Sequence, residues 1–221
     1  LQYIDVQDSE NIATNLILAA NDAVNSGNNV RWAFPVVVSV LDADGVAAGS
    51  GVTVSMRVGT GTIVTSVTNE LGQATFNDGN DEHTIEGVAS GSLLSMWVSD
   101  GSMAAASVDI TNGTTLGFTL QEDTLTLSQH AGEALTNADL LTVTEGNEAL
   151  ADIFTMSGTT LIGTDESILH ITTGSVFTPG GAVTFQDYDI DGTFHMGTYD
   201  GTVNGSWDAL CSISTRLWSV A

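Results

Sequence analysis

Residues 34–58 read FPVVVSVLDADGVAAGSGVTVSMRV, and this stretch decides the fold class. It contains two β-branched runs that change polarity at every second residue and are separated by Asp- and Gly-rich breaks, the signature of strands joined by turns. Val52, Val54, Met56 and Val58 fall on one face, with Thr53, Ser55 and Arg57 on the other. A sheet with one buried face requires that alternation. The same texture continues in IVTSVTNELGQATF (63–76) and LLSMWVSDGSMAAASVDIT (93–111). The expectation over Val36 to Thr111 is two sheets packed face to face, with little helix anywhere in the chain.

The parts also come in a recognisable order. A first strand ends in Asp42-Ala43-Asp44-Gly45, and a short loop leads to the Val52-Thr53-Val54 strand. A later strand then turns through Thr68-Asn69-Glu70-Leu71-Gly72-Gln73-Ala74-Thr75-Phe76. This order resembles the bacterial immunoglobulin-like domains of the invasin and intimin type. The resemblance covers about residues 34–111, and it implies a seven-stranded β-sandwich used as a spacer or binding module. A fold of that kind hosts many roles and does not by itself fix one.

Composition sets the outer limits. A chain of 221 residues can bury a core of one large or two ordinary domains without metals or disulfides. Its 24 Gly and 2 Pro, with abundant Thr, Ser, Val and Ala, favour many short strands and tight turns. Against 27 acidic residues stand Arg31, Arg57, Arg216 and no Lys, a formal charge of −24. Phosphate recognition needs clustered cations, so nucleic acid and anionic membrane surfaces are poor partners. Charged residues nevertheless make up only 14% of the chain, too few for a disordered acidic tail. The surface reads as Thr-, Ser-, Asn- and Gly-rich with scattered carboxylates, suited to salty water or to bound divalent ions. Cys211 is the one cysteine, which excludes an intrachain disulfide, and its apolar surroundings favour an inert thiol over a nucleophile. No apolar run reaches the roughly 18 residues that a membrane-spanning helix needs.

The chain divides into residues 1–33, an arm or first element; 34–115, the immunoglobulin-like sandwich; and 121–221, a second β-rich domain. In the first part Ile12, Leu16, Ala20 and Val24 recur every four residues between Ser9-Glu10 and Ser26-Gly27-Asn28, which reads as a helix. The run Asn15-Leu16-Ile17-Leu18 reads equally well as a strand. In the last part, 131–141 and 148–156 are expected as short helices, with Asn137 or Thr144 as caps. Strands return from Thr159 onward, and no internal repeat links this part to the sandwich.

One constellation carries chemistry. Asp187-Tyr188-Asp189-Ile190-Asp191-Gly192 opens like a calcium loop, in which Asp187, Asp189 and Asp191 at alternate positions wrap one Ca2+. The twelfth position, where a bidentate acid is expected, is Thr198. The same residues read as a hairpin, with alternation on both sides of the favoured turn pair Asp191-Gly192. The turns at 42–45 and 78–82 are smaller acidic loops. His83, His130, His170 and His195 lie in unrelated contexts with no zinc-ligand spacing. Neither a nucleophile elbow nor a phosphate-binding loop is present. Trp97 sits inside an apolar strand and reads as core, while Trp207 and Trp218 flank a C-terminal strand suited to burial or a subunit interface.

These readings converge on a non-enzymatic structural or interaction protein of an exterior surface. It would be a virion component, such as a capsid decoration or head fibre, that self-associates or docks on a larger lattice. A secreted or cell-surface adhesin or carbohydrate-binding module, with a glycan or receptor as partner, is the alternative. An acidic secreted hydrolase is a third, which would need a cleft with convergent carboxylates.

Overall fold

The computed structural model describes residues 35–77, 83–85, 88–99, 103–113 and 117–197. It also describes the strand backbones at 5–6, 17–18, 24–25, 32–33, 201–203, 207–209 and 219–220. The first four strands are short and parallel: β1 (Asp5–Val6) pairs with β3 (Val24–Asn25), and β2 (Ile17–Leu18) with β4 (Trp32–Ala33). A helix through Asn11–Val24 is therefore excluded at Ile17–Leu18, where the backbone is extended and bonded to a partner strand. The rest of that segment lies outside the described residues.

The next seven strands build a sandwich. They are β5 (Val36–Leu41), β6 (Thr53–Val58), β7 (Val64–Val67), β8 (Gln73–Phe76), β9 (Ser92–Ser99), β10 (Ala104–Thr111) and β11 (Gly117–Gln121). One sheet takes the order β7-β6-β9-β10 with every pair antiparallel, and the other takes β11-β5-β8. Val36, Val38 and Val40 alternate inward from β5 to meet Val54, Met56, Phe76, Leu94 and Met96. Val52 and Val58 pack against that cluster, as the period-two pattern requires. The pairing of β11 with β5 carries the sandwich to Gln121, beyond the boundary at 115 expected from sequence.

Five positions of the turn motif that carried the resemblance have a physical role. Thr68 Oγ1 donates to the Gly49 carbonyl at 2.7 Å and accepts from the Val52 amide at 3.0 Å, which ties two loops together. Asn69 Oδ1 accepts from the amides of Leu71 and Gln73, closing the turn on its own side chain. Gly72 has φ +71°, and a Cβ there would stand 2.9 Å from the Val40 carbonyl oxygen, so both conformation and space demand glycine. Ala74 and Phe76 then enter the core.

Beyond β11 the chain coils. The elements are β12 (Thr124–Gln129), α1 (Asn137–Thr144), a 3-10 helix (Glu148–Asp152), β13 (Phe154–Ser157) and β14 (Thr160–Gly163). They are followed by β15 (Ile168–Ile171), β16 (Val176–Phe177), β17 (Val183–Phe185), β18 (Asp187–Ile190) and β19 (Thr193–Phe194). The series closes with β20 (Gly201–Val203), β21 (Trp207–Ala209) and β22 (Ser219–Val220). Three parallel ladders collect most of the strands: β12-β15-β18-β21; Leu135, β16 and β19; and β14-β17-β20-β22, with β13 antiparallel to β14. Successive turns visit the ladders in the same order, which is the topology of a parallel β-solenoid. Ile168 pairs with Asp187, nineteen residues on, and Tyr188 with Trp207, again nineteen on. The hairpin expected at Asp191-Gly192 is thus a coil corner, because β18 and β19 lie in different ladders.

The interior follows from stacking like on like. Leu125 and Leu127 lie in register with Leu169 and Ile171, and these with Tyr188 and Ile190, all buried. The rings of Phe177 and Phe194 stack at 5.5 Å and 11°. Coil corners admit no side chain where turns approach each other: a Cβ on Gly192 would meet the carbonyl oxygens of Thr172 and Ser175.

Sandwich and solenoid share one sheet. β12 pairs in parallel with β10, so the ladder runs β21-β18-β15-β12-β10-β9-β6-β7 without a break. Strands β9 and β10 are consequently covered on both faces. Met96, Val98 and Ala105 enter the sandwich core, whereas Trp97, Ala106 and Val108 enter the solenoid core.

Candidate functional site

The junction holds the buried polar groups of greatest consequence. β6 carries Arg57 on the face away from the sandwich core, and α1 ends beneath it. Thr136 caps the start of α1: its side chain and amide both donate to Asp139 Oδ2, at 2.7 and 2.9 Å, and the Asp139 amide donates back to Thr136 Oγ1. The last turn of the helix has no basic residue. Arg57 supplies the missing cation from the sandwich, its Nη1 donating to the Glu145 carbonyl at 3.0 Å and its Nη2 to that of Val143. The side chain is 3% exposed, and burial lowers its pKa from the ordinary arginine value while Glu145 opposes that shift. Asn137, one of the residues expected as a cap, lies just inside the helix. Its Nδ2 donates to the carbonyls of Thr159 and Ala182, tying α1 to two coils.

On the opposite face of the seam, β10 presents Asp109, which has no exposed surface. Its Oδ1 accepts from Ser128 Oγ at 2.9 Å and pairs with His130 Nδ1 at 2.8 Å, while Oδ2 is enclosed without a partner among the described residues. Burial raises the Asp109 pKa, and the bonds from His130 and Ser128 offset part of that rise. The edge of Phe118 covers the imidazole at 6.4 Å. Serine, histidine and aspartate thus meet here, yet in the wrong order for nucleophilic catalysis. Ser128 gives its proton to the carboxylate, so no base activates the hydroxyl. The cluster cross-links β10 to β12 and its next residues. Sequence reasoning missed it, although a lone acid inside the apolar run Val108-Asp109-Ile110 was its available signal.

The structure places Asp187 and Asp189 on the outer face of β18, with Tyr188 and Ile190 pointing inward. An extended strand sets same-face residues about 6.6 Å apart, whereas a calcium ion needs its oxygens at about 2.3–2.6 Å from one centre. The three carboxylates of the expected loop are therefore not wrapped round one point. What comes together instead is His170, Asp189 and Asp191: His170 Nε2 lies 3.9 Å from Asp189 Oδ2 and 3.7 Å from Asp191 Oδ2. His170, Asp189 and Asp208 also stand in register across three coils. Among the described residues no three His, Cys, Asp or Glu groups converge closely enough to hold a metal ion. The turn at Asp42 closes on itself, with Oδ1 accepting from the amides of Asp44 and Val46. The acidic stretch 78–82, Thr198 and Cys211 lie outside the described residues, as do the side chains of Trp207 and Trp218.

Among the described residues no helix is long and apolar enough to cross a membrane. Compared with known proteins, the chain matches no family model, no curated protein and no solved structure.

Proposed function

We propose that the chain is a non-enzymatic structural and interaction module of an exterior surface, most concretely a virion component of the capsid-decoration or head-fibre kind. The observation that carries this reading is the eight-stranded sheet that runs from the sandwich into the solenoid without a break. The two charged residues buried among the described residues, Arg57 and Asp109, both bond across the junction of the parts. The lysine-free, Thr- and Ser-rich acidic surface suits a particle exposed to saline medium.

Density-gradient fractionation of the source material, with detection by antibody to this chain, tests the proposal. The chain is expected to sediment with intact particles. Sedimentation with cell envelopes would favour the adhesin reading, and recovery only as free protein in the medium would remove the structural one.

A further inference from the structure

We infer that the junction of sandwich and solenoid encloses a binding site for one chloride ion, held by Arg57 Nε, Ser95 Oγ and Asn147 Nδ2. The inference stands apart from the exterior-surface reading, since it concerns an ion inside the chain.

Arg57 is a buried cation without a counter-ion. The carbonyls of Glu145 and Val143 take its Nη1 and Nη2, and among the described residues no carboxylate forms an ion pair with it. The carbonyl end of a helix offsets only about half a charge. Glu145, the acid whose field reaches Arg57, is itself exposed, so solvent weakens its effect. A charge taken out of water requires a partner of opposite sign. The remaining donor, Nε, is enclosed and bonds to nothing among the described residues.

Two further unpartnered donors lie beside it. Ser95 stands directly opposite Arg57 in the β6–β9 ladder, and residues so paired share a face with their Cβ atoms about 4.5–5.5 Å apart. Ser95 has no exposed surface, and its Oγ has no partner among the described residues. Asn147 comes two residues after Glu145, and the 3-10 helix that starts at Glu148 packs on β9. Asn147 is 6% exposed, and its Nδ2 is likewise unpartnered. Register and chain path thus bring a guanidinium N–H, a hydroxyl and an amide NH2 to one enclosed place beside the end of α1. Ser95 Oγ could accept from either nitrogen and does not, which leaves space for a third body between them.

The donor set selects an anion. Neither nitrogen can accept a hydrogen bond, and the hydroxyl can turn its proton inward. A water would satisfy the donors but find only Ser95 Oγ for its own two hydrogens, and would leave the arginine charge uncompensated. Enclosure excludes carboxylates and phosphates, so a monatomic anion fits, and chloride is the one that saline medium supplies. The formal charge of −24 opposes its entry, and salt screens that repulsion.

The test is urea unfolding of the full chain at one ionic strength, with sodium chloride replaced stepwise by sodium gluconate, whose anion is too large to be enclosed. Once chloride exceeds its dissociation constant, each tenfold rise should raise the folding constant about tenfold. Ser95→Ala and Asn147→Ala each remove one donor to the ion and should move the onset of that rise to about tenfold higher chloride or beyond. Crystals of the natural chain grown in sodium bromide supply a measure that no folding defect can mimic. An anomalous peak is expected within hydrogen-bond reach of Arg57 Nε, Ser95 Oγ and Asn147 Nδ2. A folding constant indifferent to chloride, an equal response in both variants, or density at the site without anomalous signal, which marks a water, would each overturn the inference. A bromide peak there with no chloride response in solution would mark an adventitious ion only, and would overturn it as well. Co-sedimentation with particles depends on none of these outcomes, so the two readings fail separately.

Discussion

Arg57 Nη1 lies 3.0 Å from the carbonyl oxygen of Glu145, a bond that spans 88 residues of sequence and joins a sandwich strand to a helix of the solenoid. A helix ending without a cation of its own is completed by one of only three arginines in the chain. Arg57→Ala removes both donors and leaves two carbonyls buried, for an expected loss of about 2–4 kcal/mol. Arg57→Lys keeps the charge but not the fork and should recover part of that loss. Urea unfolding of the three proteins checks the order, and a lysine variant as weak as the alanine variant would show that geometry alone matters.

Asp109 should make stability depend on pH. Burial raises its pKa in the folded state, so its contribution is full below the ordinary carboxylate value and is lost as pH rises through the raised one. Relative to Asp109→Asn, the natural chain should therefore gain stability as pH falls from neutral toward about 4. The overall repulsion of a chain at −24 changes alike in both proteins and cancels in the difference. Repeating the pair in a His130→Gln background removes the neighbouring imidazole from the comparison. A difference that is flat with pH would show that the carboxyl does not titrate in the seam.

Gly192 is expected to tolerate nothing larger. A Cβ would stand 2.6 Å from the Ser175 carbonyl oxygen and closer still to that of Thr172, both backbone atoms of the preceding coil. Gly192→Ala should cost about 1–3 kcal/mol or more by forcing the coils apart. Gly117, in β11, has open space around it, and Gly117→Ala should fall within about 0.5 kcal/mol of the natural chain. Thermal unfolding of both variants makes the comparison.

Calcium should act on this protein through general screening. Melting temperature compared in calcium and in sodium at equal ionic strength should give any calcium increment equally in the natural chain and in Asp189→Ala, because Asp187, Asp189 and Asp191 are not gathered round one centre. An increment that vanishes with Asp189→Ala would show that a specific site forms on binding.

The sandwich was legible in sequence because its partners are near. Val54 and Met56 alternate inward, and β5, β6 and β8 are separated by turns whose Asp42, Asn69 and Gly72 announce themselves. The solenoid was not, since its strands run two to six residues and find their partners mostly a coil away. Asp191-Gly192 has the chemistry of a hairpin turn, and only the non-local pairing of β18 and β19 shows it to be a corner. The three acids of the expected calcium loop lie partly in β18, where alternate residues share a face without sharing a point. Asp109, Ser128 and His130 come from two strands and a loop whose proximity depends on the parallel pairing of β10 with β12, which no local pattern encodes.

The unbroken sheet has a mechanical consequence. Tension applied along the row of strands finds no flexible linker between the sandwich and the coils, and must instead peel neighbouring strands apart one ladder bond at a time. Across the β10–β12 line, Arg57 and the Asp109 cluster brace the seam from opposite faces. A load applied to the sandwich thus reaches the coils through backbone ladder bonds.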